Sequence, residues 1–331
     1  MLGDGARASR LAGPPVTGGR PMKVFVTGAT GVLGWRAVEQ LVAAGHAVTG
    51  VARGPEKATR VEKLGATPVT VDLFDRAALT DAVRDYEVVC HLATRIPRAS
   101  RALLPGAWSD NDRIRREASR NLVDAALATD VQRYAQESIA FMYPDGGDSW
   151  IDESTPLDVT SYARTVVDAE AQAQRFTDAG RTGVVLRFGM FYGPDSTHTI
   201  DFVRAARRQV AMAVAPPDAY TSSITTHDAG RAVVAALRAP AGVYNVVDDE
   251  PLRCREYFDA LADALGAARP RWSAATLAKL GGSKTAALRR SERVSNRRFK
   301  DATGWAPDAP SAREGWPAVI EDMRKEEAER A

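Results

Sequence analysis

Three glycines near the start of the chain have the type and spacing needed to hold a phosphate group. Gly28, Gly31 and Gly34 follow the apolar run 24–26 and precede the amphipathic run 35–44. A strand, a glycine-rich turn and a helix in this order place the free N–H groups of the helix N-terminus where a pyrophosphate binds. The glycines permit the tight bend, the close backbone approach and the helix–strand packing. The spacing therefore predicts a dinucleotide site, and the alternative is a glycine-rich structural turn.

The prediction assigns the glycine turn and the ends of the neighbouring strands to the cofactor, because ligands of open α/β sheets lie at the carboxyl ends of the strands. The predicted cofactor-binding residues are Gly28, Thr30, Gly31, Val32, Leu33, Gly34, Arg53, Asp72, Leu73, Leu92, Ala93 and Thr94.

The end of the second predicted strand bears on the choice of nucleotide. An acidic residue there would bind the ribose hydroxyls of NAD, but the strand ends in Val51-Ala52-Arg53. The Arg53 guanidinium can pair with a 2′-phosphate, with Lys57 one helical turn further on, so NADP(H) is favoured over NAD(H). The alternative is an exposed loop arginine. Asp72, after the third strand, is placed to reach the adenine, or else it caps the segment 73–84.

Strand and helix patterns alternate along most of the chain. Continuous apolar strands are typical of a sheet buried on both faces, and strands that alternate with helices imply parallel pairing through right-handed crossovers. We therefore expect an α/β fold, a Rossmann-type doubly wound parallel sheet with a smaller, discontinuous substrate domain. The predicted strands span 24–26, 46–52, 67–71, 88–93, 132–140, 183–188 and 242–247, and the predicted helices span 35–44, 56–64, 75–85, 113–129, 163–179 and 229–237, with a polar loop over 94–110.

Changes in composition indicate how the chain is divided. The first 21 residues are rich in Gly, Pro and Arg and lack apolar periodicity, which predicts a disordered extension. After Gly189 the alternating pattern loosens in two segments that are separated by a return to the pattern. The predicted units are a disordered extension over 1–21, a dinucleotide-binding domain over 22–190 plus 224–248, and a substrate domain over 191–223 plus 249–331.

The overall composition excludes several classes of protein. The 331 residues carry a formal net charge of +2, which indicates neither a nucleic-acid partner nor a membrane surface. No apolar run approaches the ~20 residues of a membrane span. Cys90 and Cys254 lie in apolar or helical surroundings, as is typical of reduced cysteines in a cytoplasmic protein. The four histidines lack metal-ligand spacing, so no metal site is predicted.

Several short motifs occur together in a fixed order. They are Thr27–Gly34, Asp72-Leu73, His91-Leu-Ala93, Asn121–Ala126, Leu186–Gly189 with Tyr192-Gly-Pro194, and His227-Asp228. The chain thereby resembles the extended short-chain dehydrogenase/reductase superfamily, in particular the NAD-dependent epimerase/dehydratase group. The resemblance implies a cytoplasmic, often homodimeric enzyme that uses a nicotinamide cofactor on a hydroxyl or carbonyl group of a small-molecule substrate.

The resemblance also implies a catalytic set, from which this chain departs. Members have a Ser or Thr after the fifth strand, and a Tyr followed four residues later by a Lys that lowers the Tyr pKa. Tyr162 matches the tyrosine, but Val166 stands at the lysine position. Ile139 stands at the Ser/Thr position, with Ser138 one residue early. Without the cation, Tyr162 is expected to keep an ordinary pKa of ~10 and to donate a proton rather than accept one.

Three hypotheses about function follow from these residues. Tyr162, Ser138 and the reserve acid/base Tyr143 are the predicted catalytic residues, and lysine is absent between Lys63 and Lys279. The first hypothesis is an NADP(H)-binding reductase, epimerase or dehydratase with an atypical active site, acting on a sugar or secondary metabolite. The second is a nucleotide-binding fold member with non-redox chemistry, such as isomerisation, elimination or cyclisation. The third is a non-enzymatic redox sensor.

Overall fold

The strands and helices predicted from the sequence are present in the computed structural model, with ends that differ by a few residues. The structure describes residues 20–97, 104–160, 163–212, 215–272 and 289–330. Within these ranges the strands are β1 (Lys23–Thr27), β2 (Ala47–Val51), β3 (Thr67–Val69), β4 (Val88–His91), β5 (Arg133–Ile139), β6 (Trp150–Ile151), β7 (Thr182–Phe188), β8 (Met190–Tyr192), β9 (Tyr220–Thr221), β10 (Ser223–Thr225), β11 (Gly242–Val246), β12 (Leu252–Arg253) and β13 (Arg293–Val294). The helices are α1 (Val32–Ala43), α2 (Pro55–Lys63), α3 (Arg76–Val83), α4 (Ser109–Arg113), α5 (Ser119–Leu127), α6 (Arg164–Asp178), α7 (Thr197–Ala206), α8 (Thr226–Ala236), α9 (Cys254–Leu265), α10 (Arg297–Thr303) and α11 (Ala312–Arg330).

Within the described residues, seven strands form one parallel sheet in the order β11-β7-β5-β4-β1-β2-β3. In β1 and β4 the residues Thr27 and His91 lie opposite each other at the carboxyl ends. After β3 the chain crosses back over β1 to form β4, so the strand order reverses between β1 and β4. This reversal is the place where open α/β sheets bind ligands. The topology confirms the predicted Rossmann-type doubly wound sheet.

Two apolar layers cover the faces of the sheet. Val24 and Val26 of β1 pack into the layer formed with α1 and α8, whereas Phe25 packs into the layer formed with α3, α5 and α6. Successive residues of a strand point to opposite faces, so the continuous apolar run of β1 supplies both layers. The sheet edge that carries the glycine turn is therefore held rigidly from both sides.

The helix predicted over 113–129 begins earlier in the structure and is interrupted by a π-helical turn. It begins at Ser109, inside the predicted loop, and a π-helical turn over Ile114–Ala118 joins α4 to α5. π-helical turns are rare and occur frequently at functional sites. This turn carries Arg115, whose side chain is buried against the sheet.

A separate apolar cluster lies in the region of the predicted substrate domain. Tyr192, Tyr257 and Trp316 pack together there, with the rings of Tyr192 and Trp316 4.9 Å apart. Gly315 leaves the space for this contact, since a Cβ at that position would lie 2.0 Å from the Tyr192 hydroxyl. Among the helices that the structure describes, none has the length and apolar character to cross a membrane.

Candidate active site

The glycine turn lies at the carboxyl end of β1, where the strand order reverses. Gly28 has a φ of +73°, and a Cβ there would lie 2.6 Å from the backbone of Ala93, just beyond β4. The Gly31 N–H donates to the Gly28 carbonyl at 2.9 Å. A Cβ at Gly34 would lie 1.9 Å from the same carbonyl oxygen. The turn, α1 and the end of β4 therefore approach so closely that positions 28 and 34 exclude a side chain.

The N-terminus of α1 is open to an anion. Gly31 precedes the helix without a side-chain cap, and the first turn contains no acidic residue. The first N–H groups of a helix have no partner inside the helix, and a phosphate satisfies them. Thr30 and Val32 are half-buried at this edge, whereas Leu33 belongs to the core. These residues fit the pyrophosphate of a dinucleotide.

The predicted adenine side lies at the ends of β2 and β3. Arg53 and Lys57 are exposed, and in the described part of the chain neither side chain forms a hydrogen bond or an ion pair. Asp72 is also exposed, but it does not cap α3. Asp75 does so, because it directly precedes the helix and its carboxylate accepts a hydrogen bond from the Ala78 N–H at 3.0 Å. The Asp72 carboxylate instead accepts a hydrogen bond from the Phe74 N–H at 3.0 Å, at the start of the segment 73–84 but before the helix.

The other predicted cofactor contacts follow β3 and β4. Leu73 is half-buried, and its carbonyl accepts a hydrogen bond from Asn121 Nδ2 at 3.3 Å. Leu92 is buried, Ala93 lies against the Gly28 turn, and Thr94 is exposed. The fold thus brings the end of β4 to the glycine turn, as the prediction requires.

Apolar side chains fill the two positions at which the resemblance implies polar catalytic groups. Ile139, at the end of β5, and Val166, in the first turn of α6, pack into one cluster with Met142 and Ala163. Val166 is 2% exposed. Tyr162 lies outside the described residues, so its catalytic role stays a prediction.

Ser138 and Tyr143 belong to a buried hydrogen-bond network beneath the same edge of the sheet. Ser138 donates to Glu170 at 2.5 Å, and Arg187 binds both carboxylate oxygens of Glu170 at 2.7 and 2.8 Å. The Tyr143 hydroxyl accepts from Arg187 at 2.9 Å and donates to Asn245 at 2.8 Å. Burial raises the pKa of Tyr143, although Arg187 opposes the shift. Both hydroxyls thus have protein partners in this structure, and their catalytic roles stay predictions.

A second buried ion pair, whose arginine was not identified from the sequence, lies near the ends of β4 and β5. Nη2 of Arg115 lies 3.2 Å from Oε2 of Glu137, and the two residues are 2% and 5% exposed. Nδ1 of His91 lies 2.6 Å from the Thr27 hydroxyl. Burial and then the charge of Arg115 lower the pKa of His91 to about 3, so His91 is neutral at physiological pH. β5 is buried along most of its length although it contains several polar residues. Glu137 is therefore a local signal that a buried partner exists, but that partner is 22 residues away.

Comparisons with known proteins agree with this geometry. The model of the NAD dependent epimerase/dehydratase family matches residues 24–246. The chain is 35% identical over 306 residues to the 3-diazoavenalumate denitrifying reductase of a Streptomyces species, with 89% of this chain and 99% of the relative covered. It is 29% identical over 255 residues to the 4-hydroxy-2-methyl-3-oxo-4-farnesyl-3,4-dihydroquinoline-1-oxide ketoreductase of Stigmatella aurantiaca, with 74% of each covered. The solved UDP-glucose 4-epimerase of Thermus thermophilus, in complex with NAD, shares the fold with a TM-score of 0.73 at 23% identity, and 92% of this chain and 99% of that chain are covered.

Proposed function

This chain belongs to the NAD dependent epimerase/dehydratase family, and on that premise we propose that it is an NADPH-dependent reductase with an atypical active site. The family and the reductase relatives make it an NAD(P)-dependent enzyme of the reductase/epimerase type. The observation that carries the finer proposal is the packing of Ile139 and Val166 in one apolar cluster. These are the positions at which the family resemblance implies a hydroxyl and a lysine.

The apolar cluster restricts the proton chemistry available at this site. A carbonyl that accepts a hydride becomes an alkoxide, which must be protonated by a positioned acid. Neither Ile139 nor Val166 can donate a proton, so the protonation of an alkoxide at this site would rest on Tyr162, whose pKa is expected to stay at ~10 without a neighbouring cation. An acceptor whose reduction produces no alkoxide avoids this requirement. Such an acceptor fits the residues better than a ketone does.

We propose a diazo-substituted organic acid as the acceptor. The relative that is 35% identical over nearly its whole length is named a 3-diazoavenalumate denitrifying reductase. When bound, the reduced nicotinamide supplies a hydride. An acceptor in its diazonium form gains a C–H bond and loses nitrogen, so that R–N₂⁺ and H⁻ give R–H and N₂. The substrate is reduced by two electrons, the cofactor is oxidised by two, and no proton is consumed, which matches a site with Ile139 and Val166 at the two positions where the resemblance implies a hydroxyl and a lysine.

The decisive test follows the cofactor and the nitrogen in one reaction. The enzyme is incubated with NADPH and 3-diazoavenalumate that carries ¹⁵N in both diazo positions. We expect one NADP⁺, by absorbance, and one ¹⁵N₂, by mass spectrometry, for each substrate consumed. A reaction without NADPH is the control and should release no nitrogen. Product formation without NADPH oxidation would establish non-redox chemistry, and nucleotide binding without turnover would favour a sensor; either result overturns the proposal.

We also propose that Arg53 selects NADPH over NADH. Arg53 is exposed at the end of β2, and within the described residues it forms no hydrogen bond or ion pair. The strand end carries no carboxylate to bind the ribose hydroxyls of NAD. A free guanidinium is suited to a phosphate, to which it presents two parallel N–H groups.

Arg53→Gln is expected to raise the Kd for NADPH about tenfold, equivalent to ~1.4 kcal/mol, because the 2′-phosphate loses a charged partner. The Kd for NADH is expected to stay within about twofold, since NADH lacks that phosphate. Fluorescence titration of each reduced nucleotide measures both values. Arg84→Gln removes another exposed arginine, which pairs with Asp81, and should change neither Kd. An equal loss of affinity for both nucleotides would argue against the proposed selection.

A further inference from the structure

The buried pair of Arg115 and Glu137 is built differently from the other buried pair in the site. Arg187 uses all three nitrogens, two on Glu170 and one on Tyr143. Arg115 uses only Nη2, and in the part of the chain that the structure describes its Nε and Nη1 have no hydrogen-bond partner. A buried donor without a hydrogen-bond partner destabilises the folded protein. The two nitrogens without partners therefore lower the stability of the fold rather than add to it.

The position of Arg115 matches one half of the expected nucleotide site. A dinucleotide crosses a doubly wound sheet where the strand order reverses, with one mononucleotide over each half. The proposed contact between Arg53 and the 2′-phosphate places the adenine half at the ends of β2 and β3. The nicotinamide half then lies at the ends of β4 and β5. Glu137 belongs to β5, and the charge of Arg115 acts on His91 at the end of β4.

The guanidinium of Arg115 brings a positive charge to the end of β4. The largest charge effect on His91 is that of Arg115, which adds to burial in lowering the pKa of that histidine. Burial raises the pKa of Glu137 against the opposing effect of Arg115, so this glutamate holds its negative charge less firmly than an exposed one. No lysine between Lys63 and Lys279 contributes to the potential. Arg115 is therefore a buried source of positive charge that acts on the end of β4.

We propose that Arg115 is a positioning residue through which the site distinguishes the reduced from the oxidised nicotinamide. The inference rests on the proposed reductase function. The nicotinamide ring is neutral when reduced and positively charged when oxidised, so a positive potential at the ends of β4 and β5 disfavours the oxidised form. Oxidised cofactor is then released and replaced by reduced cofactor. Loss of N₂ makes the proposed reaction irreversible, so the enzyme tolerates a site that binds the oxidised cofactor weakly.

The test is the ratio of the Kd for NADP⁺ to the Kd for NADPH, measured by isothermal titration calorimetry without any substrate. Arg115→Met is expected to lower this ratio about tenfold, because the oxidised ring no longer meets a positive charge. Arg115→Lys keeps the charge and should restore the ratio to within about twofold of the wild-type value. Arg116→Met is the matched control. It removes the neighbouring arginine of the same π-helical turn, which pairs with Asp168 at the surface, and should leave the ratio unchanged.

Removal of Arg115 alone leaves Glu137 buried without a partner, which can prevent Arg115→Met from folding. A second variant is therefore needed to test the inference in a folded protein. Replacement of both residues by methionine leaves no buried charge, and we expect a folded protein whose ratio is at least about threefold below the wild-type value. A folded double variant with the wild-type ratio, or equal losses of affinity for both nucleotides, would overturn the inference. A shifted ratio without turnover of the diazo acid would refute the proposed function but not the discrimination between the two forms of the nicotinamide. If the wild-type chain binds neither nucleotide, both proposals fail.

Discussion

Gly34→Val is expected to abolish the binding of NADPH. A Cβ at this position would lie 1.9 Å from the carbonyl oxygen of Gly28 and 2.7 Å from its carbonyl carbon. The backbone of the turn cannot accommodate these distances, so α1 must move away from β1 and carry its N-terminal N–H groups out of the phosphate site. We expect the Kd for NADPH to rise more than about a hundredfold, equivalent to ~2.7 kcal/mol. Fluorescence titration measures the loss.

Gly45→Asn provides the matched control beyond the opposite end of α1. Gly45 has a φ of +84°, and a Cβ there would meet no atom within 4 Å. Asparagine adopts this left-handed conformation more readily than most residues. This variant should therefore bind NADPH like the wild type and lose no more than ~1 kcal/mol of stability. Wild-type affinity in Gly34→Val would show that the glycine turn is not the cofactor site.

Glu170→Ala is expected to lower the free energy of unfolding by ~3–5 kcal/mol. The substitution leaves Arg187, which is 6% exposed, without either of its carboxylate contacts. It also leaves the buried Ser138 hydroxyl without the acceptor that lies at 2.5 Å in the structure. A buried charge that loses its partner cannot recover its hydration, and this is the main source of the loss. Urea denaturation followed by circular dichroism measures the change.

Two further variants distinguish the stability lost by leaving a buried charge without a partner from the stability lost by breaking any ion pair. Asp168→Ala, on the same helix, breaks an exposed pair with Arg116 and should change stability by less than ~1 kcal/mol. Replacement of both Glu170 and Arg187 by methionine removes the charges together and should recover most of the stability that Glu170→Ala loses. If Asp168→Ala and Glu170→Ala destabilise the protein equally, the buried network is not the structural element we describe.

The dinucleotide-binding part of the fold was predictable because its key contacts are local. β1, the turn at Gly28 and α1 are contiguous in the chain, so one stretch of sequence contains the strand, the bend and the helix that must pack together. The alternation of strands and helices similarly implied the parallel sheet, and the strand order confirms it. The preference for NADPH, the division into domains and the individual site residues remain predictions.

Other features were predicted less well because they depend on detailed geometry. Both Asp72 and Asp75 have a residue type that caps helices, but only the carboxylate directly before Arg76 reaches the free N–H groups of α3. The π-helical turn over Ile114–Ala118 left no recognisable pattern in the sequence. Such a turn reflects how a helix packs against its surroundings, and a helical periodicity does not reveal it.

The sequence by itself determined the parallel α/β architecture and the glycine turn. Only the tertiary structure decided which side chains meet. It packed Val166 and Ile139 into one apolar cluster, directed Ser138 to Glu170 across 32 residues, and paired Arg115 with Glu137. The physical reason is that local patterns encode elements and turns through short-range contacts. Contacts between distant elements depend instead on strand order and on which helix covers which face, and only the assembled fold defines these.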